Sequence, residues 1–435
     1  MAVKIGTRVS TPLETKAAPA SEARRPVSVP FRSPILHRAF AAFTYRNFSV
    51  LWFGAFTSTV GTWMQKVAQS WLVFDLTNSK FYLGLDDFLG QLPILLFTLL
   101  GGAIADRHDR RRLLLGSQYV QMSTAFVLAA LVFWDSVTVW HILTLSFVAG
   151  LGQAFGGPAY QALIPSLVDR KDLPNAIALN SIQFNLARVF GPLLAGTTMA
   201  ALGAAACFGL NGLSFLAVIV ALLSLHIKHT PSGSRTRMHE ELRGGLSYVK
   251  HQPGLIGLTV LAFVTTYLAT PLLTFLPLFA QNVFGGGVGQ YTRLMACAGA
   301  GAVSGALIVA WLGKFKGMGT TALVLQFALG MLIVLFALTR LIWINGILLF
   351  AAGVCMVMVF ALLSSLVQLI APNEMRGRVM SIYMVAFRGG MPLGSLAGGY
   401  VATLTSAQTV LTMNGVLLSL AAAWFLLKRG GVREL

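Results

Sequence analysis

Two adjacent carboxylates, Asp86 and Asp87, sit in the stretch YLGLDDFLGQLP, and Lys66 lies upstream in GTWMQKVAQSW. Both stretches are otherwise largely apolar. An isolated charge in apolar surroundings costs several kcal/mol, so such a carboxylate either pairs with a cation or exchanges a proton. Elimination leads to the same pair. The chain has 14 acidic residues, and the others fall in polar, Lys/Arg-rich stretches or, like Asp75 and Asp135, at the margins of apolar runs. No His lies deep in a run, His141 being near an edge. Cys207, Cys297 and Cys355 are scattered without the spacing of a metal site or a disulfide framework. No H-E-x-x-H or G-x-S-x-G motif is present. The chemistry on offer is ion pairing and proton exchange; enzymatic catalysis, a metal and a cofactor are not expected.

The elements that must position these groups follow from composition. Of 435 residues only 11% are charged and 56% are hydrophobic. The mean hydropathy is +0.74. A water-soluble chain of this length would carry roughly a quarter charged residues. The expected solvent is lipid, and about 20 apolar residues span it as a helix. Twelve runs qualify: 48–74, 81–104, 113–133, 138–160, 175–200, 205–226, 255–282, 290–313, 319–338, 342–370, 379–402 and 406–427. None shows the ~10-residue alternation of an outer-membrane barrel strand. The predicted fold is an all-α integral membrane protein of twelve helices in two six-helix, pseudo-symmetric halves. The halves cover 48–226 and 255–427. Around them lie a largely disordered tail (1–47), a linker (227–254) with a short interfacial helix at Met238 to Tyr248, and a C-terminal tail (428–435).

Charge sets the orientation. Of the 32 Lys and Arg, all but Lys66, Lys80, Arg188, Arg293, Arg340 and Arg388 fall in segments on one side of this twelve-span arrangement. Such an excess marks the cytoplasmic face, so both termini are expected in the cytoplasm. The net charge of +18 is therefore topological, and nucleic acid is not an expected partner. The partner that composition and charge imply is the lipid bilayer. Within the first hairpin, Lys66 and Asp87 each lie about ten residues from the turn near 76–78. At 1.5 Å of rise per residue both sit roughly 15 Å below it, at one depth. Lys66 can pair with Asp86 or with Asp87. Successive residues point about 100° apart, so the two carboxylates have different roles. Either one of them titrates as the protein works, or the group is a static ion pair or one shallow enough to meet outer water.

The halves repeat. NSIQFNLARVFGPLLAG from Asn180 and MSIYMVAFRGGMPLGSLAG from Met380 align with Ser181 on Ser381, Arg188 on Arg388 and Pro192 on Pro392. Six spans per half give both halves the same orientation, the parallel repeat used by alternating-access transporters. Both arginines are expected to bond helix-end carbonyls where the halves meet. The prolines bend the helices among glycines that permit close approach.

GAIADRHDRRRL (Gly102 to Leu113) resembles the loop 2–3 signature of the major facilitator superfamily, G-x-L-A-D-R-x-G-R-R-x-L. Asp109 stands where that signature has Gly, so no tight-turn role is expected there. GTWMQKVAQSWLVFDLTNS, PSLVDRKDLPNAIALNSIQFNLARVFGPLLAG and NEMRGRVMSIYMVAFRGGMPLGSLAGG are similar to its enterobactin-exporter-like and macrolide-efflux branch. The resemblance covers about residues 40–427. It implies a bacterial inner-membrane drug:proton antiporter, a monomer whose expected partners besides the lipid bilayer are a small-molecule substrate and protons. It also implies a cytoplasmic latch of Asp106, Arg107, Arg110 and Arg111 that holds the outward-open state. The first, fourth, seventh and tenth spans then line the cavity, offering Trp63, Gln65, Gln69, Gln153, Phe155, Tyr160, Thr265, Thr266, Tyr267, Met356, Met358 and Phe360. Aromatic surface with scattered amides and adaptable methionines suits amphipathic organic molecules. A dedicated siderophore or metabolite exporter and an uptake permease of the same fold stay open, because the residues alone do not set direction.

The topology has a direct test. In a cysteine-free background, a membrane-impermeant maleimide applied to intact cells should label a cysteine at position 80. A cysteine at position 433 should react only after permeabilisation; the reverse pattern overturns the orientation.

Overall fold

A backbone in lipid has no water to bond to, so its N–H and C=O groups must be satisfied within helices. The computed structural model describes residues 40–225, 246–372, 375–428 and 431–435, the side chain of Asp106 excepted, and among these residues there is no strand. The long helices are α1 (Arg46–Thr77), α2 (Lys80–Arg107), α3 (Arg110–Phe133), α4 (Val139–Leu163), α5 (Leu173–Ser224), α6 (Pro253–Thr274), α7 (Val288–Leu312), α8 (Met318–Leu338), α9 (Ile342–Ile370), α10 (Arg376–Leu404) and α11 (Ala407–Leu427). Nine of them, among the described residues, are long and apolar enough to cross a bilayer. The two outside that set are α1 and α10, which carry Lys66 and Arg388.

The spans expected at 175–200 and 205–226 form one 52-residue helix with a non-helical break at Gly203, φ 80°. Only glycine adopts that conformation without strain. The chain folds back there, since Cys207 Sγ lies 3.9 Å from the Ala195 carbonyl. Aromatic residues ring both ends of the bundle. Exposed Trp134, Trp140 and Trp343 stand at the end away from the termini, and Trp311 and Trp424 at the other, as interfacial tryptophans do.

Residues 40–45 and 431–435, the described parts of the two tails, pack on the bundle. Ala41–Thr44 forms a short 3-10 turn, and the Ala42 N–H donates to Asn175 Oδ1 at 2.9 Å. Near the C-terminus, Gly431–Glu434 docks with Val432 buried, and Thr320 Oγ1 donates to the Arg433 carbonyl at 2.8 Å. Small apolar anchors outweigh the polarity of these segments. Of the interfacial helix expected at Met238 to Tyr248, residues up to 245 lie outside the described set, and 246–250 is helical.

The apolar core is continuous at one end of the bundle and divided at the other. One cluster joins Phe74, Leu83 and Ile142 to Tyr291, Phe336 and Leu411, drawing on helices from both parts of the chain. Toward the termini it gives way to two separate clusters, one from residues 42–225 and one from 249–432. Two seams hold the joined end. On α2 and α10, Gly84 abuts the Ser395 carbonyl and Gly399, and Lys80 Nζ donates to the Ala402 carbonyl at 2.9 Å. Between α5 and α7, Gly299 lies against the Arg188 carbonyl and Gly196 against Thr292.

A side chain at position 84 would have to push two helix backbones apart. Gly84→Val should therefore cost about 1–3 kcal/mol. It should lower the melting temperature of the purified protein and raise outside labelling of a cysteine in place of the buried Ala402. Unchanged melting and labelling would mean the seam is looser than its geometry.

Candidate functional site

The first turns of α2 carry Lys80, Gly84 and Asp87 on one stripe, because residues three and four apart share a helix face. That stripe meets α10, and Asp86, turned by about 100°, faces back into α1 and α4. The two carboxylates are thus separated by direction, as their adjacency requires. Asp86 is buried. Gln69 Nε2 donates to both of its oxygens at 2.9 Å, and Ser146 Oγ donates to Oδ1 at 2.5 Å. Gln69 also bonds Ser146 Oγ at 2.8 Å, which closes a polar triangle between α1, α2 and α4. No cation bonds Asp86 among the described residues.

Asp87 is the bridging group. Its Oδ1 is 3.1 Å from Lys66 Nζ, and Ser395 Oγ of α10 donates to Oδ2 at 2.6 Å. Ser395 is itself fully buried and 3.1 Å from Thr274 Oγ1 of α6. One carboxylate therefore ties α1, α2 and α10 together. The Lys66 side chain is 47% exposed and that of Asp87 13%, so the pair is open on the side of Lys66. Of the two pairings open to Lys66, the structure contains the one with Asp87.

Trp63 adjoins this site. Lys66 Nζ lies 5.8 Å and Arg188 Cζ 5.1 Å from its ring centroid. Arg188 is also 5.3 Å from the Phe184 ring. The guanidinium expected to bond helix-end carbonyls instead rests on aromatic faces, with no hydrogen bond to it among the described residues. The kinked Gly191–Pro192 segment presses on Trp63, which leaves the arginine the ring and no free helix end. The Arg188 backbone does lie at the α5–α7 seam. Arg388 is exposed on α10, next to Gly389, which packs on Leu95 of α2. Pro192 and Pro392 are buried inside their helices.

Several residues expected in the cavity are engaged elsewhere. Gln65 accepts from Asn211 Nδ2 at 2.6 Å and so faces the returning arm of α5. Tyr160 donates toward Asn180 at 2.9 Å and Gln183 at 3.3 Å, bracing α4 on α5. Thr265, Thr266 and Met358 are buried, the two threonines bonded to their own helix. Phe155 backs onto Gly101 of α2, and Tyr267 onto Gly390 and Gly394 of α10. Gln153 is exposed, while Met356 and Phe360 are partly exposed; Phe360 meets Phe387 edge-on with centroids 4.8 Å apart. Helix position predicts which span a residue joins, but a helix has several faces.

At the α2–α3 loop, Asp109 caps α3 by accepting from the Arg111 and Arg112 N–H groups at 2.9 and 3.3 Å. That is why an Asp stands there in place of the signature's Gly. Arg111 donates to the Leu222 and Leu223 carbonyls, and Arg110 to that of Ala162, so both hold helix ends within residues 40–225. Arg107 is exposed, and the Asp106 side chain lies outside the described residues. Sequence reasoning missed Ser146 and Ser395. Ser146 carried no signal, but Ser395 did: it is where the internal repeat places Ala195.

A helical bundle joined at one end around a charged seam, with aromatic belts at both ends, has the build of a membrane transporter. The transmembrane secretion effector family, MFS_3, matches residues 37–433, and the chain belongs to it, a branch of the major facilitator superfamily. It is a transporter and not an enzyme. The chain is 26% identical over 79% of its length, and 86% of the relative's, to the staphyloferrin A transporter of Staphylococcus aureus. It is 27% identical to the enterobactin exporter EntS of Escherichia coli O1:K1 over 83% of this chain and 87% of that one. Macrolide efflux protein A of Streptococcus pyogenes is 21% identical over 62% of this chain and 67% of its own. Among solved structures, an inward-facing, unoccupied bacterial homolog of the human lysosomal transporter Spinster shares the fold. Its TM-score is 0.68 at 14% identity, over 88% of this chain and 96% of that one.

The pair can be dissected thermodynamically. Lys66→Met strands the Asp87 charge and should cost about 1 kcal/mol, a modest figure because Lys66 is half-exposed. Lys66→Met/Asp87→Asn should recover much of that loss in melting temperature. Additive losses would show that the two groups do not interact.

Proposed function

We propose that this chain is a secondary active exporter of small amphipathic organic molecules, working by alternating access as a proton antiporter. It functions as a monomer in the bacterial inner membrane, with twelve passes in two six-helix halves (48–226 and 255–427) and both termini in the cytoplasm. The observation that carries the reading is the Asp87 bridge at the joined end of the bundle. The core divides toward the termini, so on this reading the opening faces the cytoplasm and the seam is the closed outer gate.

In that state Asp87 is a carboxylate paired with Lys66, and Ser395 donates to it across the gate. Opening outward must separate α2 from α10, which breaks the Ser395 bond and brings Asp87 to the outer water. A proton taken up there neutralises the carboxylate and releases Lys66. After closure toward the outside, water on the Lys66 side receives the proton. Asp86 takes no part in the gate: its partners lie on α1 and α4, and its role is to fix those helices to α2. Asp106, Arg107, Arg110 and Arg111 make the reciprocal latch, which forms when the cytoplasmic side closes. Trp63, Gln153, Met356 and Phe360 border the opening. The names of the staphyloferrin A and enterobactin relatives favour a second reading, a dedicated siderophore exporter with the same coupling.

Cellular accumulation of macrolides, dyes and aryl-capped siderophores, in a strain lacking its own pumps, tests this. Wild type should lower accumulation of at least one compound, and a protonophore should abolish the effect. Asp87→Asn should lose the protonophore-sensitive part at normal protein levels. Asp86→Asn should instead lower protein level or melting temperature. Export by Asp87→Asn that still responds to the protonophore would remove Asp87 from the coupling step.

A further inference from the structure

The internal repeat reappears in burial. On α5, Ile177, Ser181 and Phe184 form one exposed stripe, Arg188 is partly exposed, and the next positions on that face, Gly191, Pro192 and Ala195, are buried. On α10 the stripe of Gly377, Met384 and Arg388 is exposed, and Pro392, Ser395 and Gly399 are buried against α2 and α6. Residues at these spacings lie on one side of a helix. Each arginine therefore marks the level where a face that is open toward the termini becomes sealed. Arg388 is seven residues before Ser395, roughly 10 Å below the Asp87 bridge along the helix.

Neither guanidinium has a hydrogen bond or an ion pair among the described residues. Aromatic faces offset part of the Arg188 charge, but they satisfy none of the five N–H donors that an arginine aims in a fixed fork. The neighbouring Lys66 is already neutralised by Asp87. What remains around the closed end is two positive forks set in apolar and aromatic surface, from Trp63 and Phe184 on one side to Met384 and Phe387 on the other. A carboxylate or comparable oxyanion on an aromatic or apolar body fits both features, because arginine pairs with such groups bidentately.

We infer that Arg188 and Arg388 recognise a negatively charged group on the transported molecule, so the substrate is an amphipathic anion. The inference rests on the transporter reading for the word substrate, and on neither proton coupling nor direction. Their positions make the recognition part of the transport cycle. Both lie where the two seams begin, so an anion drawn to them sits against the gate that must open next.

The test is equilibrium binding to the purified full chain in phosphatidylcholine nanodiscs, with no gradient imposed. Three isosteric probes are used: radiolabelled naphthalene-2-carboxylate, naphthalene-2-carboxamide and 2-naphthylmethylammonium. The carboxylate should bind at least about ten-fold tighter than the other two. Arg188→Gln and Arg388→Gln should each reduce carboxylate binding by about that factor and leave the amide unchanged. Arg188→Lys should retain the preference for the anion, which separates charge recognition from folding. Equal binding of the three probes, no saturable carboxylate binding, or carboxylate binding indifferent to both Gln variants overturns the inference. Displacement of the carboxylate when phosphatidylglycerol is added would assign the site to lipid headgroups and overturn the substrate assignment. Failure of the export assay would leave this binding result standing, and its failure would leave the coupling result standing.

Discussion

A charge can be kept in an apolar bundle only if something answers it, and the Asp87 carboxylate is answered from two directions. Lys66 on α1 supplies the counter-charge, and Ser395 on α10 supplies a hydrogen bond from across the seam. Both contacts depend on the helices being close, which Gly84 and Gly399 allow by having no side chain in the way. If α2 and α10 separate, the carboxylate loses a partner and gains water. The packing of the joined end and the surroundings of one carboxylate are thus linked by geometry.

Asp86 shows how much direction matters. It is one residue away, yet its answer comes from the neutral donors Gln69 and Ser146 inside a different helix group. Satisfying a buried carboxylate with several hydrogen bonds makes its site rigid, since every donor is worth about 1–3 kcal/mol when the acceptor would otherwise be stranded. The neighbouring acids therefore divide the labour: one braces α1 and α4 on α2, and the other straddles the contact between α2 and α10. The arginines obey the same rule by another route. Arg188 lowers its cost on the Trp63 and Phe184 rings, and Arg388 does so by facing the opening.

Packing at the two ends of the bundle differs in kind. The joined end is a single apolar cluster, and the end near the termini is two. Arg110 donates to the Ala162 carbonyl and Arg111 to those of Leu222 and Leu223, helix ends on one side of that division. Among the described residues, the apolar cluster that joins the two sides lies at the end away from the termini.

The sequence by itself determined the solvent, the helical class and most of the span boundaries, because a bilayer demands about 20 apolar residues per crossing whatever the tertiary arrangement. It also exposed Asp86, Asp87 and Lys66, since charges in apolar runs are rare enough to be found by elimination, and equal distance from a hairpin turn made the Lys66 pairing legible. Only the tertiary structure decided which carboxylate Lys66 takes. Direction around a helix axis has meaning only once its neighbours are placed. The same reason explains why Gln65, Tyr160 and Met358, all on helices assigned to the cavity, turn away from it. Ser395 became a partner of Asp87 through a contact 308 positions apart in the chain, which no local pattern encodes. The gap between the runs 175–200 and 205–226 places a turn there from the sequence, and the structure shows that Gly203 makes it inside one nearly continuous helix. Local chemistry and periodicity are written residue by residue; which faces meet is a property of the packed bundle.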